Sequence, residues 1–175
     1  MDEIEVKIIE IDAPAVIKKI EALGAKKAFD GEVVSVFFDK PGDALQKDKQ
    51  VFRLRTLGDK TLLTWKSKGS KTDVKLFDEV EFSLDDVEAA KRMLIGLGFI
   101  IVEEDRKRRT SYKKGKISYE IEYREGIPPY LEVEAHSKKE LIEALKELGY
   151  DLADTKPWSG SDVLRHYGKK TKFKI

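Results

Sequence analysis

Six cations and eight carboxylates in this chain recur at i, i+2 spacing, in most cases around an apolar residue. Arg53 and Arg55 flank Leu54, Lys66 and Thr64 flank Trp65, and Lys107 and Arg109 repeat the spacing. Glu79 and Glu81 flank Val80, Glu120 and Glu122 flank Ile121, and Glu132 and Glu134 flank Val133. Near the start, Glu3, Glu5 and Lys7 alternate with Ile4, Val6 and Ile8. In an extended chain successive side chains point to opposite faces, so each charged set occupies one pleat face. Cations so placed can hold phosphate oxygens by charge-assisted hydrogen bonds, and paired carboxylates can hold a hard divalent cation. Phosphoryl or nucleotidyl transfer needs both. The plainer alternative is a sheet face in water. Such a face mixes Ser, Thr, Gln and Lys, whereas Thr64 is the single uncharged residue at these paired positions. Cross-strand neighbours stand only about 5 Å apart, so clustered charges need opposite partners or a charged ligand.

Strands must carry these residues. Period-2 alternation predicts strands over residues 3–11, 27–39, 50–56, 61–66, 75–83, 99–113, 116–123 and 130–135. Turn signals at Gly58-Asp59, Lys114-Gly115 and Gly126-Ile127-Pro128-Pro129 separate several of them. Helical spacing predicts helices over 13–23, 84–97 and 138–148, with a short one over 161–167. Residues 3–39 and 75–113 each read strand, helix, strand, a weak internal repeat. About eight strands and three or four helices, without regular βαβ alternation, give an antiparallel α+β fold. If the sheet curls into a barrel with its apolar face outward, helices cover Ile4, Val6, Leu54 and Val80, and the charges line the lumen.

Composition bounds the rest. With 41% hydrophobic and 38% charged residues, the chain of 175 residues reads as one folded domain, 1–175, with a basic tail at 169–175. Its net charge of +1 gives no sign of a nucleic-acid binder. The absence of Cys removes thiolate chemistry, and two His residues cannot build a multi-His zinc site. We read His136 as a strand end, His166 as structural, Trp65 and Trp158 as packing residues, and the tail as solvated. No apolar run is long enough for a membrane span and the start is acidic, so the expectation is a cytoplasmic protein without a membrane partner.

Together the motifs resemble the CYTH family, the triphosphate tunnel metalloenzymes. Glu3-Ile4-Glu5-Val6-Lys7 matches its E-x-E-x-K signature. In order follow Phe37-Phe38-Asp39 with Pro41, Arg53-Leu54-Arg55 after Phe52, Thr64-Trp65-Lys66, Glu79-Val80-Glu81, Lys107-Arg108-Arg109 with Tyr112, and Glu132-Val133-Glu134. The likeness covers residues 1–168. Glu122 stands where the family often has Asp, and Lys40 where it has Thr. We take Lys107 and Arg109, not Arg106 and Arg108, as the inward pair, because Tyr112 then falls on the apolar side. The resemblance implies an eight-stranded antiparallel tunnel holding a triphosphate and Mg²⁺ or Mn²⁺. It implies Glu3, Glu5, Glu122, Glu132 and Glu134 as metal carboxylates. Lys7, Arg53, Arg55, Lys66, Lys107 and Arg109 would be triphosphate ligands, with Lys7 and Lys66 the candidate catalytic cations. Glu79, Glu81 and Glu120 would be further lumen acids. The segment from Trp158 to Leu164 resembles the class IV adenylyl cyclase branch, although Gly160 replaces an aromatic residue. ATP cyclisation, hydrolysis of another triphosphate and simple polyphosphate binding all stay open, as does a homodimer.

Overall fold

The computed structural model describes residues 3–71 and 75–172; the side chains of Glu3 and of residues 68–77 lie outside that description. The alternating segments form β1 (Glu3–Ile8), β2 (Lys26–Asp39), β3 (Gln50–Leu57), β4 (Lys60–Lys71), β5 (Lys75–Leu84), β6 (Ile100–Lys114), β7 (Ile117–Arg124) and β8 (Ile127–Ala135). Their hydrogen-bonded order is β1-β5-β4-β3-β2-β6-β7-β8, a closed barrel in which β8 returns to β1. The helices are α1 (Ala13–Ala22), α2 (Ala44–Lys47), α3 (Val87–Gly96), α4 (Lys138–Leu148) and α5 (Gly160–His166). None of the described helices is long and apolar enough to cross a membrane.

Among the boundaries that differ from the sequence expectation, three have a plain local reason, whereas β4 runs on to Lys71 rather than 66 and the short α2 was not expected. The first strand stops at Ile8 rather than 11, because Glu10 adopts a left-handed φ of 58° that breaks the extended run. The second main helix starts at Val87 rather than 84: the Asp86 carboxylate accepts from the Ala89 N–H and caps it, leaving Leu84 in β5. Pro128 and Pro129, read as turn, lie inside β8, and the turn itself is carried by Gly126 at φ 66°.

Two compact units divide the chain. One comprises Met1–Gly31, Gly69–Phe77 and Lys107–Trp158; the other comprises Glu32–Lys68, Asp78–Arg106 and Ser159–Ile175. In the first, Ile4, Val6, Ile8, Tyr119, Ile121, Leu131 and Val133 form one sheet face. Val16 and Ile20 of α1 and Leu141, Ala144, Leu145 and Leu148 of α4 cover it. Burying a side chain of this size contributes about 1.5–3 kcal/mol, so this double helical cover supplies much of the unit's stability.

In the second unit Val36, Phe38, Leu54 and Leu63 pack against Leu94 of α3, with Ala90, Leu84 and Phe99 alongside. Here the expected cover is incomplete. Val80, expected under a helix, is 55% exposed, and Leu97 at the end of α3 is 66% exposed. The reason is that α3 buries Leu94 alone, so its reach over the sheet stops short of the outer face of β5.

Candidate functional site

Because the helices take the apolar face, the charged face of each strand points the other way. In the first unit the register sets Glu5 opposite Glu134 and Lys7 opposite Glu132, across β1 and β8. On the other side of β8, Glu120 faces Glu132, and one strand further Arg109 faces Glu122. The resulting cluster is dry: Lys7 is 2% exposed, Glu5 6%, Glu132 7%, Arg109 3% and Glu122 0%.

Its contacts alternate in sign. Lys7 Nζ lies 2.5 Å from Glu132 Oε2 and 3.3 Å from Glu5 Oε1. Burial opposes the charge on Lys7, but Glu132 and Glu5 outweigh it and hold its pKa above the ordinary range. Lys107 Nζ donates to Glu122 Oε1 at 2.6 Å, and Arg109 Nε donates to the same oxygen at 2.7 Å. Arg109 also pairs with Glu120. Burial, opposed by Lys7, Arg109 and Lys107, leaves the Glu132 carboxyl well below its usual value. Glu122 is likewise lowered, burial being outweighed by Arg109 and Lys107. Lys107, unlike Lys7, is shifted against its charged form: burial and the neighbouring Arg109 push it down to about 8, against the pull of Glu122.

Three of the metal candidates come together. Glu5, Glu132 and Glu134 each offer a carboxylate oxygen, all within 4.8 Å of one another. An all-oxygen donor set of like charge suits a hard divalent cation such as Mg²⁺ or Mn²⁺, which would relieve the repulsion. Glu122 is not in that group; its Oε1 takes the two cations, while its buried Oε2 has no hydrogen-bond partner among the described residues. The Glu3 side chain lies outside the described residues.

The second unit carries its own set. Arg53 stands opposite Thr64 and Arg55 opposite Leu62 on the β3–β4 ladder. Lys66 Nζ lies 2.5 Å from Glu79 Oε2, and the Thr64 hydroxyl donates to Glu81 at 2.8 Å. Arg55 Nε is buried without a hydrogen-bond partner among the described residues, a donor that a phosphate oxygen would satisfy. Asp39, fully buried, accepts from the backbone N–H groups of Lys40, Leu45 and Gln46 at 2.6, 2.8 and 3.3 Å, tying down the loop that carries α2.

Arg106 and Arg108, the alternative register, are exposed and pair with Glu32 and Asp30. His136 is exposed. Of the basic tail, Lys169, Lys170 and Lys172 are exposed as expected, while the Thr171 hydroxyl and the Lys172 N–H bond Glu103 of β6. With Arg165 and Ile101 the tail borders a cavity of about 770 Å³, which none of the sequence-derived ligands lines.

Two residues of the first cluster escaped the sequence reading. Tyr130 is buried, stands opposite Glu122 and meets Arg124 Nε at 3.4 Å. Burial and Glu122 raise its pKa. The signal was available, since Tyr130 falls two residues before Glu132 and Arg124 two after Glu122, on the same pleat faces.

The family model of the CYTH domain matches residues 1–167. A relative from Methanocaldococcus jannaschii, bearing the name "Putative adenylate cyclase", is 28% identical over 85% of this chain and 87% of its own. A solved structure from Pyrococcus horikoshii superposes with a TM-score of 0.75 at 27% identity, covering 92% of this chain and 98% of that one. A Hippeastrum structure, TM-score 0.64 at 21% identity over 98% of both chains, has the same fold. It is described as a "Putative adenylyl cyclase" with a dominant triphosphatase activity.

Proposed function

Because the chain belongs to the CYTH domain family, we propose that it is a divalent-metal-dependent enzyme acting on a triphosphate, with ATP cyclisation to cyclic AMP and pyrophosphate as the first reading. The observation that carries it is the grouping of Glu5, Glu132 and Glu134 within 4.8 Å, beside the buried cations Lys7 and Arg109 and the part-buried Lys107. A plain anion receptor gains nothing from clustered carboxylates, which repel an anion. A metal site without cations would not hold a polyanion.

In this reading Glu5, Glu132 and Glu134 hold Mg²⁺ or Mn²⁺, with Glu3 and Glu122 as further acids of that set. When bound, the metal neutralises charge on phosphate oxygens. Lys7, Lys107 and Arg109 take phosphate oxygens in the first unit, and Arg53, Arg55 and Lys66 do so in the second. Lys7 and Lys66, each already drawn to a carboxylate at 2.5 Å, exchange that partner for the substrate and follow the charge that develops on the leaving group. Glu79, Glu81 and Glu120 keep the cations in place while no substrate is bound. In cyclisation the ribose 3′-hydroxyl oxygen attacks the α-phosphorus, the bond to pyrophosphate breaks, and the hydroxyl proton is released. The name of the Methanocaldococcus relative favours this reading.

The second reading is triphosphate hydrolysis, in which water attacks the terminal phosphorus, its bond to the bridging oxygen breaks, the diphosphate leaves, and orthophosphate forms with loss of the water proton. The dominant triphosphatase activity in the description of the Hippeastrum protein favours it. Both readings use the same cations and carboxylates and differ in which phosphorus meets the nucleophile. Incubation with Mg²⁺ or Mn²⁺ and ATP, thiamine triphosphate or tripolyphosphate, resolving cyclic AMP, pyrophosphate and orthophosphate, separates them. No product from any of the three would refute an enzyme.

A further inference from the structure

Lys7 is flanked on both sides of β1. On one side stands Glu132 of β8. On the other, β5 pairs with β1 at Glu3, Ile4 and Glu5 among the described residues, and at Lys7 the ladder passes to Lys156. The two backbones exchange both hydrogen bonds. The Lys7 N–H donates to the Lys156 carbonyl at 2.9 Å, and the Lys156 N–H donates to the Lys7 carbonyl at 2.7 Å. Residues paired in this way across antiparallel chains carry their side chains on one face. Lys156 therefore shares the charged face with Lys7, although it belongs to none of the paired-charge motifs. Its neighbours fix it there. Pro157 confines Lys156 to extended conformations, and the hydroxyl of the buried Thr155 donates to the Leu152 carbonyl at 2.7 Å.

Like charges set directly opposite each other repel. Lys7 is matched by Glu132 and Glu5, and Lys66, Lys107 and Arg109 each have a carboxylate of their own. Lys156 differs. Among the described residues its Nζ has no carboxylate partner and lies instead over the Trp158 ring, 5.9 Å from the centroid. An aromatic face attracts an ammonium without neutralising it. The side chain is half-buried, so its charged end stays within reach of a ligand. On the reading of this site as a triphosphate site, we infer that Lys156 is a further ligand for the phosphate oxygens, on the side of Lys7 away from Glu132, and that Trp158 holds its ammonium ready. A polyanion supplies the charge-assisted contact that no described carboxylate gives Lys156, and it relieves the repulsion between the two lysines. Lys7 must leave a carboxylate to take a phosphate oxygen. Lys156 gives up only its contact with the ring, the weaker of the two.

Calorimetry with inorganic tripolyphosphate and Mg²⁺ tests this on Lys156→Met, which keeps most of the stem and removes the charge. Affinity is expected to fall about tenfold, the scale of one charge-assisted contact, and Lys156→Arg is expected to recover most of it. Without tripolyphosphate the urea midpoint of Lys156→Met should stay level or rise, because a cation opposite Lys7 is gone. In a Trp65→Phe background Trp158 is the only tryptophan. Tripolyphosphate is expected to change its emission when Lys156 is present and to leave it unchanged in Lys156→Met. Wild-type affinity in Lys156→Met overturns the inference and leaves the triphosphate reading standing. A midpoint that falls along with affinity makes Lys156 structural and overturns it equally. An emission change that survives Lys156→Met overturns the part given to Trp158. No binding by the wild-type chain overturns the triphosphate reading itself, and the inference with it.

Discussion

Lys7 and Glu132 stand directly opposite each other on the β1–β8 ladder, and their charged ends meet at 2.5 Å with both side chains less than a tenth exposed. One contact thus joins the first strand to the last and the cations to the carboxylate group. Removing one partner of a buried pair leaves an uncompensated charge, which costs about 3–5 kcal/mol. Lys7→Met is expected to lower unfolding stability by about 3 kcal/mol in metal-free buffer, with part recovered on adding Mg²⁺. Urea unfolding with and without metal checks this; equal stability with wild type would show the pair to be dispensable.

Glu134→Gln separates metal binding from folding. It is half-buried opposite Glu5, where two carboxylates repel when no metal is bound. The neutral, near-isosteric amide is expected to cut Mg²⁺-dependent turnover tenfold to a hundredfold, the scale of one lost charge-assisted contact. The metal-free melting temperature should stay level or rise. Parent-like product formation with an unchanged metal titration would remove Glu134 from the ligand set.

The proposed triphosphate capture is tested at two positions of the second unit. Arg55→Ala and Lys66→Ala are each expected to weaken tripolyphosphate binding about tenfold to a hundredfold with the fold retained. Isothermal calorimetry with circular dichroism reads both quantities. Unchanged affinity in both variants would take these two cations out of the site.

Lys107 makes its own contribution to the pH dependence of the metal-free protein, because burial and Arg109 push its pKa from 10.5 down to about 8. Below 8 both states are protonated and the burial cost of the charge is fully present. Between 8 and 10.5 the unfolded chain binds more protons than the folded one, so stability rises with pH over that window. Lys107→Met should lose this rise. Chemical unfolding of both proteins in chelator across pH 7–11 measures it, and parallel profiles would contradict the burial argument.

Asp39→Ala strips three backbone N–H groups of their acceptor at once. The expected loss is about 1–3 kcal/mol, with faster amide exchange at Leu45 and Gln46. Asp39→Asn, which keeps one carbonyl acceptor, should lose less. Equal losses in the two would mean that charge rather than acceptor geometry holds the loop.

Which charges share a pleat face was legible in the amino-acid order, because that depends only on the two-residue period of an extended chain. The alternation of Glu132, Val133 and Glu134 puts both acids on one side and the valine in the core in any sheet of this kind. The span of α4 was legible from local spacing too, residues 138–148 being both the expected and the observed helix. Which strands become neighbours is not local. The return of β8 to β1, the meeting of Lys7 with Glu132, and the capture of Glu122 by Lys107 and Arg109 rather than by the carboxylate group all depend on sheet order and register. The exposure of Val80 and Phe82 was equally beyond reach: their alternation marks an apolar face, and only the tertiary structure decides whether a helix is long and apolar enough to cover it.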